Sequence, residues 1–237
     1  MPRYVRDGRF GERPHYEPAE LDGECEDIIV QFLRSIHNGE ARFPVHTEDL
    51  KKLIERDADD LDCYADLSNY GADVEGVTEF RPGRKPVVRI AKALTEDERY
   101  ENRLRTTLTH EFGHVRFHAY LYDLGRLQGD LFKGNAPQRL VSKRENILGA
   151  SKTDWMEWQA GYVCGAILMP VSHTRRIARE FLGAKQQVGP VATGTKDGHE
   201  LIARVSETFQ VSEEAARIRL LKLNLLGPEA GQSSLFS

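Results

Sequence analysis

The sequence has no long apolar run: its hydrophobic stretches last only a few residues, far short of the ~20 needed to cross a bilayer. No apolar segment follows the Arg-bearing N-terminus either, so membrane-spanning and secreted proteins are set aside. Cysteine is scarce. Cys25, Cys63 and Cys164 are odd in number and lack a CxxC spacing, which argues against a disulfide framework and suits a reducing compartment, taken here as the cytoplasm. A basic excess is missing as well. With 33 Lys+Arg against 37 Asp+Glu the net charge is −4, so the chain as a whole lacks the field that drives nonspecific nucleic-acid binding. Locally the charge is uneven: Leu21 to Asp66 holds 13 acidic and 5 basic residues, whereas Val171 to Gly227 holds 9 basic and 6 acidic. Only that last third could attract phosphate.

What is present suits one sizeable globular domain: 237 residues, 40% of them hydrophobic. Residues 1–20 mix four Arg with Gly, Pro and acids and show no apolar period, which predicts a flexible arm. Ile28, Ile29, Phe32, Leu33 and Ile36 fall at helical spacing, and Thr47 can cap a second helix through Leu50, Leu53 and Ile54. Val74 to Phe80 and Val87 to Ile90 flank a Pro/Gly-rich turn and read as a β-hairpin. A long helix is expected from Glu96 to His118, and a second from Ser151 or Asp154 to Met169, stopped by Pro170. Between them, Gly125 to Lys152 reads as a long, partly helical insertion. A helix pair, His199 to Phe209 and Ser212 to Leu225, closes the domain. The expected fold is therefore α+β with a small antiparallel sheet. Its parts are an arm at 1–20, a main domain at 21–198, the helix pair at 199–226 and a disordered tail at 227–237.

His110-Glu111-Phe112-Gly113-His114 is an HExxH motif. On a helix the two imidazoles stand ~40° apart around the axis and ~6 Å along it, so both can reach one metal ion. Glu111 projects one position further round, where it can act as a general base toward a bound water. Chance supplies roughly 0.02 such motifs in a chain of this composition, and the alternative is a charged helix face. A catalytic zinc site needs a third protein ligand. Glu157 is the best candidate, because Ala160, Gly161 and Cys164 on its helix are small and would let that helix approach His110 closely near Gly113. The competing account makes Asp154-Trp155-Met156-Glu157 a capping box in which Glu157 only satisfies backbone donors, unless Ser151 is the N-cap. His118 continues the stripe, yet it lies ~12 Å along the axis from His110, too far to share the ion; a helix-end or core role is expected. His173, Tyr120, Tyr122 and Tyr162 could each supply a proton or steady an oxyanion, and nothing in the sequence ranks them. His15, His37, His46 and His199 have no partner at ligand spacing.

The segment from Arg103 to His118 resembles the RxRFTLAHELGHxxLH signature of the ImmA/IrrE-like metallopeptidases, and Glu157 to Pro170 resembles their ExEANxFAxxLLMP motif. Phe209-Gln-Val-Ser212 and Arg219 to Leu223 are similar to the family's closing element, so the likeness runs from about Ala72 to Leu226. Gln159, Gly161, Val163 and Cys164 stand where the family often has Glu, Asn, Phe and Ala. The resemblance implies a zincin-like fold, zinc (or manganese) on His110, His114 and Glu157, and Glu111 as base. It further implies cleavage of a helix-turn-helix repressor, which derepresses stress-response or mobile-element genes. In that reading the strand Val87 to Ala91 is expected to offer an exposed edge to an extended substrate.

Two other readings compete. The closing helix pair, with Arg217, Arg219 and Lys222, could read DNA while the metal is structural; Glu213 and Glu214 at the start of the would-be recognition helix oppose phosphate. Two His and a carboxylate could also be the triad of a non-haem iron oxygenase, where a Glu between the two His is less at home.

Overall fold

A computed structural model describes residues 2–81, 83–127, 137–149 and 154–227. The chain runs β1 (Arg3–Asp7), β2 (Gly11–His15), α1 (Pro18–Ile36), α2 (Thr47–Asp57), β3 (Asp60–Ala65), β4 (Val74–Phe80), β5 (Val87–Ala91) and α3 (Lys92–Thr95). It continues through α4 (Glu101–Leu127), β6 (Gln138–Lys143), α5 (Asn146–Gly149), α6 (Trp155–Leu168), α7 (Val171–Ala184), β7 (Val191–Ala192), α8 (Lys196–Phe209), α9 (Glu213–Lys222) and β8 (Leu226–Gly227).

The main sheet has the order β3-β5-β4-β6. The expected hairpin is there, with Val77 opposite Arg89 and Thr78 opposite Val88. The sheet is not wholly antiparallel, because β3 runs parallel to β5. Nor is Val87–Ala91 an edge: β5 is enclosed between β3 and β4, so its backbone groups are already paired. Every residue of β4 is buried, as a central strand covered on both faces must be. Its face alternates: Val77 packs with Ala65, Leu67, Val74 and the strand partner Val141, while Gly76 and Thr78 turn to α4, where both meet Glu111.

The insertion Gly125 to Lys152 is only in part helical. The first helix starts at Glu101, after a tight turn at Glu98–Tyr100, and runs on to Leu127; then β6 and the one-turn α5 follow. The insertion residues 128–136 and 150–152 lie outside the described ones, as do 228–237 of the expected tail.

The N-terminal segment is ordered, not a free arm. β1 and β2 pair antiparallel from Arg3–His15 to Asp7–Gly11. Phe10 at the tip packs edge-on to Tyr122 and Trp155, with ring centroids 5.3 and 6.4 Å away, and Arg13 lies 4.0 Å over the Trp155 ring. Helix α1 already begins at Pro18, inside the segment assigned to the arm. Pro18 suits the first helical turn, and Glu17 with Glu20 completes a capping box. On α2 the cap residue is His46, not Thr47, whose hydroxyl bonds Glu101 instead.

The closing helices match the expected pair, with α8 starting three residues earlier, so a boundary at 199 would cut a helix. They are fastened to the core by two buried guanidinium groups. Arg105 of α4 donates to the carbonyls of Val45 (2.8 Å), Phe209 (3.2 Å) and Gln210, neutralising the carbonyl end of α8. Arg219 of α9, 1% exposed, pairs with Asp22 of α1 at 2.6 Å and donates to Met169 O at the end of α6. Arg219 is thus unavailable to phosphate, and Arg217 is paired with Glu214.

Candidate metal centre

Helices α4 and α6 meet backbone to backbone. A Cβ on Gly113 would fall 2.9 Å from Ala160 Cα and 3.3 Å from its Cβ, so the small residues foreseen on α6 do permit the close approach. That contact brings Glu157 over the HExxH turn. His110 and His114 are fully buried and Glu157 is 6% exposed. Glu157 Oε2 lies 3.1 Å from His110 Nε2, Glu157 Oε1 lies 3.2 Å from His114 Nε2, and the two Nε2 atoms are 3.1 Å apart. The three residues can hold one metal ion, with donor atoms all within 4.8 Å of one another. Donors bound 2.0–2.1 Å from a tetrahedral zinc stand roughly 3.3 Å apart, so the spacing fits.

Asp154 is the N-cap of α6 and its carboxylate accepts from Glu157 N, at 3.4 Å. Only half of a capping box forms, because the Glu157 side chain turns to the imidazoles. Ser151, the alternative start, lies outside the described residues. Burial works to raise the Glu157 carboxyl, but the hydrogen bonds and charge of His110 and His114 outweigh it and hold the group well below the ordinary carboxylate range. Burial conversely works to lower His114, and the carboxylates of Glu157 and Glu111 prevail and raise it.

The outer nitrogens decide which ring atoms face the cluster. Ile147 O, 3.3 Å from His110 Nδ1, accepts a hydrogen bond there. On the other ring, Gln159 Oε1 can only accept, so His118 Nε2 donates to it (3.2 Å) and His118 Nδ1 accepts from His114 Nδ1 (2.9 Å). Both Nε2 atoms are thereby turned inward, and their lone pairs become available to a metal once the protons shared with Glu157 leave. Burial, then the neighbouring His114, pushes His118 well below its ordinary value and keeps it neutral. His118 is therefore more than core filler, although it is no member of the ligand cluster.

Glu111 is fully buried beside the cluster. Thr78 Oγ1 donates to its Oε2 at 2.6 Å, while Oε1 has no partner among the described residues. A Cβ at Gly76 would fall 2.7 Å from Glu111 Cδ and closer still to Oε1; glycine there makes room for the carboxylate. Of the four unranked candidates, Tyr162 OH is bonded to Asp22 and His173 stands against Phe43 and Glu26. Tyr120 OH and Tyr122 OH are buried without partners among the described residues. Tyr122 stacks on Phe80 at 4.0 Å, and Trp155, which shares its contact with Phe10, sets its edge on His118 at 5.4 Å. An open cleft of about 500 Å³, lined by Glu75, Arg103, Thr107, Arg144, Ile147 and Ser212 among others, lies against Ile147, whose carbonyl bonds His110.

The sequence reading missed Thr78, Gly76, Gln159 and the Ile147 carbonyl. One signal was at hand for Gln159, which lies two residues beyond Glu157 on a helix already assigned to the site.

A family model, the IrrE N-terminal-like domain of the M78 peptidases, matches residues 70–221, well over half of the chain. The chain belongs to this family. It is therefore a member of a metallopeptidase family, and the oxygenase reading falls away. No curated protein adds a match. No helix among the described residues is long and apolar enough to cross a membrane.

Proposed function

We propose that this M78 family member is a zincin-like, HExxH-type endopeptidase that uses zinc, with manganese as the alternative, held by His110, His114 and Glu157. The observation that carries the proposal is the convergence of two inward Nε2 atoms and a carboxylate beside a Glu111 oxygen that has no partner among the described residues. When bound, the ion supplies Lewis acidity, which acidifies water toward pKa ~7 and polarises a carbonyl.

The chain's own residues supply the rest. Thr78 holds Glu111 Oε2, so Oε1 is left to take a proton from water. Glu111 then passes that proton to the leaving amine, and no covalent enzyme intermediate is needed. His118, Gln159 and Ile147 O keep the two imidazoles oriented. The cleft beside Ile147 supports entry of a locally unfolded substrate segment.

The substrate we assign is a helix-turn-helix repressor, whose cleavage would derepress stress-response or mobile-element genes. This rests on the motif resemblance together with the family match. The burial of Arg219 speaks against the rival reading, in which α8 and α9 bind DNA directly.

The experiment is co-expression with a helix-turn-helix regulator encoded beside the gene, followed by mass measurement of fragments. Wild type is expected to cut, and Glu111→Gln to keep its metal and cut nothing. A Gln variant that cuts at wild-type speed would remove Glu111 as the base. A wild type that cuts no neighbouring regulator, with metal supplied, would overturn the repressor reading.

A further inference from the structure

Among the described residues, Glu111 Oε1 and Ser142 Oγ, both on the α4-facing side of the sheet, are buried polar atoms without a partner. Ser142 belongs to β6 and stands directly opposite Gly76 of β4. Residues paired across an antiparallel ladder project from the same face. The face is settled by its neighbours, since Val77 and its partner Val141 pack together on the far side. Gly76 and Ser142 therefore both look toward α4, and Ser142 is fully buried there.

Cross-strand Cβ positions lie ~4.5–5.5 Å apart, and the Cβ position of Gly76 abuts the Glu111 carboxylate. The Ser142 hydroxyl and Glu111 Oε1 therefore flank the same Gly76 position, and no direct hydrogen bond joins them. Buried polar atoms find partners, and a water with two polar neighbours is the usual one where they are not in direct reach.

We propose that Ser142 is a positioning residue that, with Glu111 Oε1, holds the water consumed in hydrolysis. This rests on the peptidase reading above and extends it. The water donates one O–H to Glu111 Oε1 and the other to Ser142 Oγ, which leaves an oxygen lone pair free to attack. Its first proton passes through Glu111 to the leaving nitrogen as the C–N bond breaks. Its oxygen and second proton stay with the new carboxyl group. Ser142 gains and loses nothing; it restricts where the oxygen can point.

The test uses the full chain, as wild type and as Ser142→Ala, a change that removes one oxygen and adds no bulk. Crystal structures are expected to place an ordered water within hydrogen-bond distance of both oxygens in wild type and to lose it from that spot in the variant. Thermal stability and metal content should be unchanged. On the cleaved regulator, kcat is expected to fall roughly three- to tenfold with KM held, and Ser142→Thr, which keeps the hydroxyl, should recover part of the loss. A Ser142 hydroxyl bonded elsewhere in wild type, or a variant with unchanged kcat, overturns the proposal. A wild type that shows the bridging water yet cuts no protein would instead refute the peptidase reading and leave the water placement standing.

Discussion

Gly76→Ala is the smallest change that should disarm the base without touching a metal ligand. In a strand interior, Ala is ordinarily the better residue by roughly 0.5–1 kcal/mol, since it loses less backbone entropy on folding. Here the new methyl would meet Glu111 Cδ at 2.7 Å and Cγ at 2.9 Å, whereas carbon atoms prefer separations of ~3.5–4.0 Å. The carboxylate must move by roughly 1 Å, and overpacking of this kind costs about 1–3 kcal/mol. The clash outweighs the entropic gain, so a net loss of about 1–2 kcal/mol is expected in denaturant unfolding. Function should suffer more, because a 1 Å misplacement of a catalytic group can cost ~10²-fold. Metal content, read by elemental analysis, should stay at wild-type level. The assay is the rate of regulator cleavage beside an unfolding curve. A Gly76→Ala protein that is as stable and as active as wild type would refute the reasoning, for it would mean that Glu111 is not pressed against β4.

Glu157→Ala should release most of the metal, while Asp154→Ala should retain it and lose only about 1 kcal/mol as a missing cap; elemental analysis with the reverse outcome would move the ligand assignment to Asp154. Replacing Asp22 by Ala leaves Arg219 buried without its partner and should cost about 3–5 kcal/mol, measured by urea unfolding. Lys222, pushed down to about 8 by burial, binds its proton less tightly folded than unfolded, so its charge penalises the fold most below pH 8 and less as pH rises toward the unfolded value. The stability advantage of Lys222→Met over wild type should therefore shrink between pH 8 and 10; an advantage that widens over that range would contradict the assignment.

The candidate metal ligands were legible because His110, His114 and Glu157 sit on two regular helices, where spacing converts directly into geometry, and Gly113 marks where those helices can touch. The supports of the site were not. Thr78 reaches Glu111 from 33 positions away, and no local pattern encodes that pairing. β6 reads Gln-Arg-Leu-Val-Ser-Lys with mostly exposed or half-buried positions; it is a strand because β4 offers it an edge, not because of its own alternation. The parallel pairing of β3 with β5 was hidden for the same reason. The segment 3–15, polar and carrying Pro14, is anchored by Phe10 at the turn and by Arg13 over Trp155, contacts that a composition argument weighs too lightly.

The bond between Asp22 and Arg219 joins positions 197 residues apart. During synthesis at ~5–20 residues per second, Asp22 emerges about 10–40 s before its partner exists. Until then the far end of α6 also lacks the guanidinium that caps Met169, and α6 is the helix that carries Glu157. A nascent chain can thus hold the whole HExxH turn and Glu157 and still lack the anchor at the far end of α6. A ribosome that stalls before residue 219 leaves behind a chain in which α1, α6 and α9 are not yet pinned together.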